Sequence, residues 1–224
     1  MPASPASAVL VSGGLDSAIL VGERLREGAT VHPLYVRCGF VWEEVELAHL
    51  RRYLDALRSP RLRPLQVLDQ PVGDLLGDHW SLSGLGVPDG DSPDEAVFLP
   101  GRNLLLLSKA LLWCHLNGVG ALALGILEGN PFADASSDFL DPFQTSVNAA
   151  LGARISVLRP YAHCSKTDVL SRGREFPLAL TFSCLRPVEG HHCGDCNKCS
   201  ERRRGFASAG LEDSTRYVER SILA

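Results

Sequence analysis

The sequence predicts an α/β fold: a parallel sheet with helices on both faces, followed by a small C-terminal metal-binding appendage. Three observations carry that expectation. Short runs that are apolar throughout alternate with amphipathic stretches at helical spacing, as when crossover helices bury strands on both faces. A glycine-rich turn, Ser12-Gly13-Gly14-Leu15-Asp16-Ser17, joins the first apolar run to the first helical stretch. Four cysteines crowd between Cys184 and Cys199.

The elements follow in order. Residues 8–11 read as a buried strand, and Ile19, Leu20, Glu23 and Leu25 predict a helix over 18–26 that Gly28 stops. Residues 31–36 form the second strand, 42–57 a long helix rich in Glu and Arg, and 62–68 a third strand. Residues 70–97 are rich in Gly, Pro and Asp, which predicts a functional loop or mobile lid. Regular structure resumes with a helix over 103–115, broken at Asn117-Gly118, and a buried strand over 121–126. A helix over 137–151 and a strand over 155–158 come next, and Ser165 caps a helix beginning at 165–171. The expected division is a nucleotide-binding unit over 1–181 and a cysteine-bearing segment over 182–224. Ligands of such sheets sit at the carboxyl ends of the strands.

Composition excludes several classes. The 224 residues are 45% hydrophobic and 21% charged, ordinary for a packed globule and wrong for a disordered chain. The net charge of −4 argues against a protein that grips a nucleic-acid backbone. Residues 1–8 are small residues and prolines without positive charge, a poor signal peptide. The longest apolar region, 103–126, is interrupted by Lys109, His115, Asn117, Gly118 and Gly120, so no membrane span is expected. The expected compartment is a reducing cytoplasm, where clustered cysteines mean metal or catalysis rather than disulfides.

The loop Ser12, Gly13, Gly14, Leu15, Asp16, Ser17 has the physics of an anion cradle. Its glycines let the backbone turn tightly, and successive N–H groups with the helix dipole then face negative charge. No lysine follows, so it is not the loop of kinases and P-loop ATPases. Cys184, Cys193, Cys196 and Cys199 form a C-x8-C-x2-C-x2-C set that suits a closed, structural Zn²⁺ site. An iron–sulfur cluster is the rival occupant, and His191 and His192 are competing ligands.

These residues carry a resemblance. The Ser12–Ser17 hexapeptide is similar to the S-G-G-x-D-S signature of the PP-loop, or N-type, ATP pyrophosphatases. Cys193-Gly194-Asp195-Cys196-Asn197-Lys198-Cys199, with Gly205-Phe206 behind it, resembles the end of the 7-cyano-7-deazaguanine synthase (QueC/ExsB) family. Phe98 to Asn103 resembles that family's P-x-R-N stretch, Ser165 to Val169 its T-K-x-x-I, and Thr181 to Cys184 its T-x-S-C. The resemblance runs in order through nearly the whole chain. Two stretches depart from it. Gly39-Phe40-Val41-Trp42 stands where the family has Gly-Gln-x-His. Asn130 to Phe139 keeps an aspartate at Asp134 but has Ala135 and Ser136 for the family's Cys and Arg.

The resemblance implies a Rossmann-like ATP pyrophosphatase domain and a step of queuosine biosynthesis. The implied enzyme is an ATP-dependent carbon–nitrogen ligase that adenylates a carboxylate, adds ammonia to give an amide, and dehydrates it to a nitrile. The family's substrate is 7-carboxy-7-deazaguanine and its product preQ0. ATP, Mg²⁺ and Zn²⁺ are the expected cofactors, and a homodimer the expected assembly. Asp16, which holds Mg²⁺ or orders the turn, Arg102 and Lys166 are the expected catalytic residues, with Asp134 and Asn103 on the substrate. Arg202-Arg203-Arg204 reads as a solvated helix face, and Cys38, Cys114 and Cys164 as bystanders. Alternatives are a divergent paralogue that amidates another carboxylate, a tRNA-thiolating enzyme, or a zinc module without catalysis.

Overall fold

A computed structural model describes residues 6–218. Met1–Pro5, which belong to the signal-peptide reading, and 219–224, the end of the expected C-terminal segment, lie outside the described residues. Five strands, β1 (Ser7–Leu10), β2 (Val31–Arg37), β3 (Gln66–Asp69), β4 (Ala121–Ala123) and β5 (Ser156–Leu158), form one sheet. Its order is β3-β2-β1-β4-β5 and every pairing is parallel. The helices are α1 (Leu15–Arg26), α2 (Glu43–Leu57), α3 (Gly73–Leu76), α4 (Trp80–Ser83), α5 (Arg102–Leu116), α6 (Ser137–Leu151), α7 (Lys166–Gly173) and α8 (Asn197–Ser208).

Strand alternation divides the core between two faces. Val9, Tyr35 and Ala123 point to one face, where they pack with Ile19 and Val21 of α1, Leu50 and Tyr53 of α2, and Val169 and Leu170 of α7. Ala8, Leu34 and Leu122 point to the other, against Leu107, Ala110, Leu111 and Cys114 of α5 and Leu140 of α6. Burial on both sides is why these strands read as apolar throughout.

Helices α1 and α7 approach closely because each carries a glycine at the contact. A Cβ on Gly173 would lie 2.4 Å from Ile19 Cγ1, and one on Gly22 would lie 2.5 Å from Phe176 Cζ. Gly173→Ala is therefore expected to destabilise the fold by about 1–3 kcal/mol through overpacking, despite alanine's better helix propensity. A urea midpoint equal to or above that of the parent chain would show that the contact relaxes freely.

Three boundaries differ clearly from the sequence reading, and the first is the strand predicted over 121–126, which ends at Ala123, two residues ahead of Gly125. The helix predicted over 18–26 begins at Leu15, so the second half of the glycine-rich loop is the first helical turn. The strand predicted over 62–68 is confined to Gln66–Asp69: Leu62 makes one isolated bridge to Val31, and Pro64 has no N–H to donate. Within 70–97 the chain forms α3, α4 and a single 3₁₀ turn, Asp94–Val97. Residues 88–93 are pinned to the cysteine segment. Asn197 N donates to Pro88 O at 3.0 Å, and Asn197 Nδ2 to Ser92 O at 2.8 Å.

Candidate active site and four-cysteine centre

The strand order reverses direction at β1, so a crevice opens between the ends of β1 and β4. The glycine-rich loop lies in it. Gly13 has φ +74°, a left-handed conformation that favours glycine, and a Cβ there would lie 3.0 Å from Glu46 Cγ. Gly125, just past β4, lets its backbone approach the loop: a Cβ would sit 3.1 Å from Ser17 N. Gly14 is the N-cap of α1 and supplies no side-chain cap, so the helix presents its first N–H groups to whatever enters. Ser17 Oγ accepts from Ser12 N at 3.2 Å and holds the turn together.

A cleft of about 580 Å³ opens over this loop, and a smaller cavity of about 180 Å³ adjoins it. Ser12, Gly14, Asp16, Glu46, Arg102 and Asn103 line both. The expected catalytic residues Asp16, Arg102 and Lys166 all reach the larger cleft, as do the expected substrate residues Asn103 and Asp134.

Lys166 is the first residue of α7, whose N-terminus carries a capping box: Ser165 Oγ accepts from Asp168 N, and Asp168 accepts from Ser165 N. Its Nζ lies 2.9 Å from both carboxylate oxygens of Asp16 and 3.5 Å from Glu201 Oε1. Burial works to lower its pKa, but the two carboxylates outweigh it and the net direction is upward. Lys198 completes the chain, with Nζ 2.5 Å from Glu201 Oε2. Two of the protein's three lysines therefore converge on one acid at the cleft wall. Gly205 lets α8 pack closely on α7, since a Cβ there would lie 3.2 Å from Leu170 Cδ1.

Arg102 begins α5, and its buried Nε has no hydrogen-bond partner among the described residues. Asn103 and Asp134 meet each other: Asn103 N donates to Asp134 Oδ2 at 2.9 Å, and Asn103 Nδ2 to Asp134 Oδ1 at 3.3 Å. Asp134 thereby caps the start of α5 from a distant loop.

Sequence reasoning missed Glu46. This carboxyl is 8% exposed, accepts from Tyr35 Oη at 2.7 Å, and is pushed up to about 8 by burial. Its neighbour Glu43 accepts from Cys38 N and Gly39 N, both at 2.7 Å. The signal was present in the helical spacing. Glu43, Glu46, Leu47, Leu50, Tyr53 and Leu54 make one buried stripe of α2, in which two positions are acids. Also missed was Trp80, which extends a stack at the cleft: Phe40 and Trp42 centroids lie 4.9 Å apart, and Trp42 and Trp80 5.8 Å apart.

The four cysteines converge. All four Sγ atoms lie within 4.8 Å of one another, with Cys193–Cys199 at 3.9 Å and Cys184–Cys196 at 4.0 Å. A tetrahedral zinc with bonds of about 2.3 Å requires sulfur–sulfur edges of about 3.8 Å, whereas a disulfide needs about 2.05 Å. Backbone N–H groups of Leu185, Arg186 and Cys193 donate to these sulfurs at 3.3–3.5 Å, which favours thiolates. The donor set fits zinc. His192 lies outside it: it is buried, accepts from Ser183 N at 3.1 Å, and is lowered to about 3 by burial and then by Arg202.

The reading of Arg202-Arg203-Arg204 as a solvated face holds for Arg203 and Arg204, which are exposed, and is corrected at Arg202. Arg202 is 1% exposed and donates to Thr215 Oγ1, Thr181 Oγ1, Ser183 Oγ and Leu178 O. It lies one turn beyond Cys199 on the buried side of α8, so its five donors staple the segment to the chain that enters it. Arg203 stacks over Tyr217, its guanidinium 4.0 Å from the ring centre. Cys38, Cys114 and Cys164 are buried as expected. Burial pushes the Cys38 thiol up to about 11 and the Cys114 thiol to about 12, which leaves neither as a reactive thiolate.

Comparisons with known proteins agree with this geometry. A family model described as "Queuosine biosynthesis protein QueC" matches residues 6–210. A 7-cyano-7-deazaguanine synthase of Thiobacillus denitrificans is 31% identical over 96% of this chain and 99% of its own. One from Brucella anthropi is 34% identical over 94% of this chain and 93% of its own. Among solved structures, a 4-thiouridine synthetase in complex with RNA and bound ATP shares the fold. Its TM-score is 0.52 at 16% identity, over 92% of this chain and 50% of that one. No helix among the described residues is long and apolar enough to cross a membrane. A match over 205 consecutive positions, spanning both the loop and all four cysteines, places this chain in the QueC family of queuosine biosynthesis proteins.

Proposed function

We propose that this protein is an ATP-dependent carbon–nitrogen ligase that converts 7-carboxy-7-deazaguanine to 7-cyano-7-deazaguanine. The observation that carries the reading is the meeting of the uncapped phosphate loop, Lys166 and Arg102 in one cleft walled by the cysteine segment. In this reading residues 1–181 carry the ATP chemistry and 182–224 form the zinc-bearing segment, in the cytoplasm.

A carboxylate is a poor electrophile, so ATP first turns it into an acyl-adenylate with pyrophosphate leaving. The N–H groups at Gly14 to Ser17, Lys166 and Arg102 oppose the negative charge that develops on the departing pyrophosphate. Ammonia then displaces AMP to give the amide, and a second activation at the amide oxygen releases AMP and leaves the nitrile. Asp134 and Asn103 are the polar groups for the base, and Trp42 with Trp80 offers a flat wall for a planar ring. Zinc supplies no step here. Four thiolates close its sphere, so it holds the cleft wall in shape. Asp16 orients Lys166 through both its oxygens, and each oxygen keeps a lone pair with which it would hold Mg²⁺, whose chemistry there would be to offset phosphate charge.

The test is incubation with ATP, ammonium and 7-carboxy-7-deazaguanine, following AMP, pyrophosphate and product mass. A nitrile product with pyrophosphate release is the expected result. One observation favours a second reading, a paralogue acting on a different carboxylate: Phe40 and Trp42 stand where the family pattern has an amide and an imidazole. ATP binding without amide or nitrile would select it.

A further inference from the structure

Glu46 is the one buried acid that faces both cavities, and the chemistry above gives it no task. Its Oε2 is held by Tyr35 from β2, while Oε1 has no hydrogen-bond partner among the described residues. The charged groups around it are few. Glu43 stands one turn away on α2, Arg102 faces it from α5, and the loop backbone at Gly13 packs on its stem. Two carboxyls thus share one guanidinium, which itself makes no ion pair within 4.0 Å among the described residues. One negative charge is left over. Either a proton or a small monovalent cation must neutralise it, because a bare buried carboxylate is costly.

Ammonium is such a cation, and this reaction consumes it. At neutral pH ammonia is mostly protonated and has no lone pair to attack with, so the ligase needs a group to take one proton. We propose that Glu46 is the catalytic base of the amidation, binding ammonium through its free oxygen and accepting its proton in the cleft. This rests on the ligase reading above. The step balances as follows. Ammonium gives a proton to the Glu46 carboxylate, leaving neutral ammonia and the carboxylic acid. The nitrogen lone pair forms the new C–N bond, the acyl C–O bond breaks, and AMP leaves with that electron pair. The second proton passes from nitrogen to water, and Glu46 returns its own to solvent before the next turnover.

Burial prepares the group for this task. A carboxyl titrating at about 8 is basic enough to compete for the ammonium proton, where an ordinary one is not. Bound ammonium, like Arg102, draws that midpoint down, so the carboxylate form appears when the co-substrate is present.

The experiment compares Glu46→Gln with the parent chain in amide formation, using ammonium or hydroxylamine as nucleophile. Hydroxylamine is largely unprotonated at neutral pH and needs no base. The expected result is a fall of about 100-fold with ammonium and of less than about 5-fold with hydroxylamine, the scale of general-base catalysis. Glu46→Asp should restore part of the ammonium rate. Equal losses with both nucleophiles, or no loss with ammonium, would overturn the proposal. A second measurement needs no carboxylate substrate: carbon NMR of the Glu46 side chain, assigned by its loss in Glu46→Gln. A midpoint near 8 that falls on adding ammonium chloride supports the role, and one that ammonium leaves unmoved refutes it. Should the parent chain form no amide, the ligase reading fails while the NMR titration still decides the ammonium site.

Discussion

Stripping the metal from the four-cysteine centre is expected to unfold the C-terminal segment and to dismantle the cleft with it. Structural zinc in such sites contributes roughly 10–16 kcal/mol of binding free energy, as much as the whole stability of an ordinary domain. Little else could replace it here. Cys184, Cys193, Cys196 and Cys199 are all buried, and they share one apolar cluster with Val36, Phe40, Trp42 and Phe182. Phe182 N also donates to Gly13 O at 2.8 Å, which ties the segment to the phosphate loop itself. Loss of metal therefore travels in two directions, to the tryptophan wall and to the loop. Metal analysis should find about one zinc per chain. Chelation, or Cys184→Ser, should lower the melting temperature sharply and abolish ATP binding together. Iron in place of zinc, or a chelated chain that melts where the parent does, would sink the assignment.

Replacing Lys166 by Met should cut carboxylate-dependent ATP–pyrophosphate exchange by about 1,000-fold, the upper range for losing one donor to a developing charge. The lysine is the only cation that ion-pairs with a loop side chain among the described residues, and it is positioned from both sides by Asp16 and Glu201. The variant should also lose stability. Glu201, whose tendency to be raised by burial is overcome by Lys198 and Lys166, would keep only Lys198 among the described residues, and Asp16 would keep no cation among them. Lys166→Arg separates the two effects. It keeps the charge, so melting should recover. Exchange should recover only in part, because a planar fork cannot meet Asp16, Glu201 and a phosphate as a compact ammonium does. Exchange within a few fold of the parent in Lys166→Met would remove this residue from the chemistry.

Much of this site was legible in the chain, and the reasons for success and failure differ by residue. Ser12 to Ser17 and the four cysteines are local signals: spacing along the sequence already dictates the turn, the exposed N–H groups and the convergent thiols. Lys166 was visible because lysine is scarce here, at Lys109, Lys166 and Lys198. Its partners were not visible, since Asp16 lies 150 positions away. Asp134 and Asn103 were each named for a substrate, yet their mutual bond spans 31 positions and could not be read from either neighbourhood. Glu46 and Arg202 were hidden by the company they keep. Glu43-Glu44-Val45-Glu46 looks like a solvated acidic first turn and Arg202-Arg203-Arg204 like a solvated basic face, but the helix rotates Glu43 and Glu46 inward in the first and Arg202 in the second. A residue's angular position on its helix decides burial, and its charge decides only what burial costs.

The sequence by itself determined the class of sheet, the glycine-rich turn at the start of α1 and the convergent set of four cysteines. Each of these depends on hydrophobic period or on contacts between near neighbours. Tertiary structure alone decided which charges face one another. The parallel order β3-β2-β1-β4-β5 brings the ends of β1 and β4 together, and α2, α5, α7 and α8 then deliver Glu46, Arg102, Lys166 and Glu201 to one cleft. The physical reason is range. Backbone propensity acts over a few residues, whereas the desolvation and pairing of charges depend on distances across the fold, which no local pattern records.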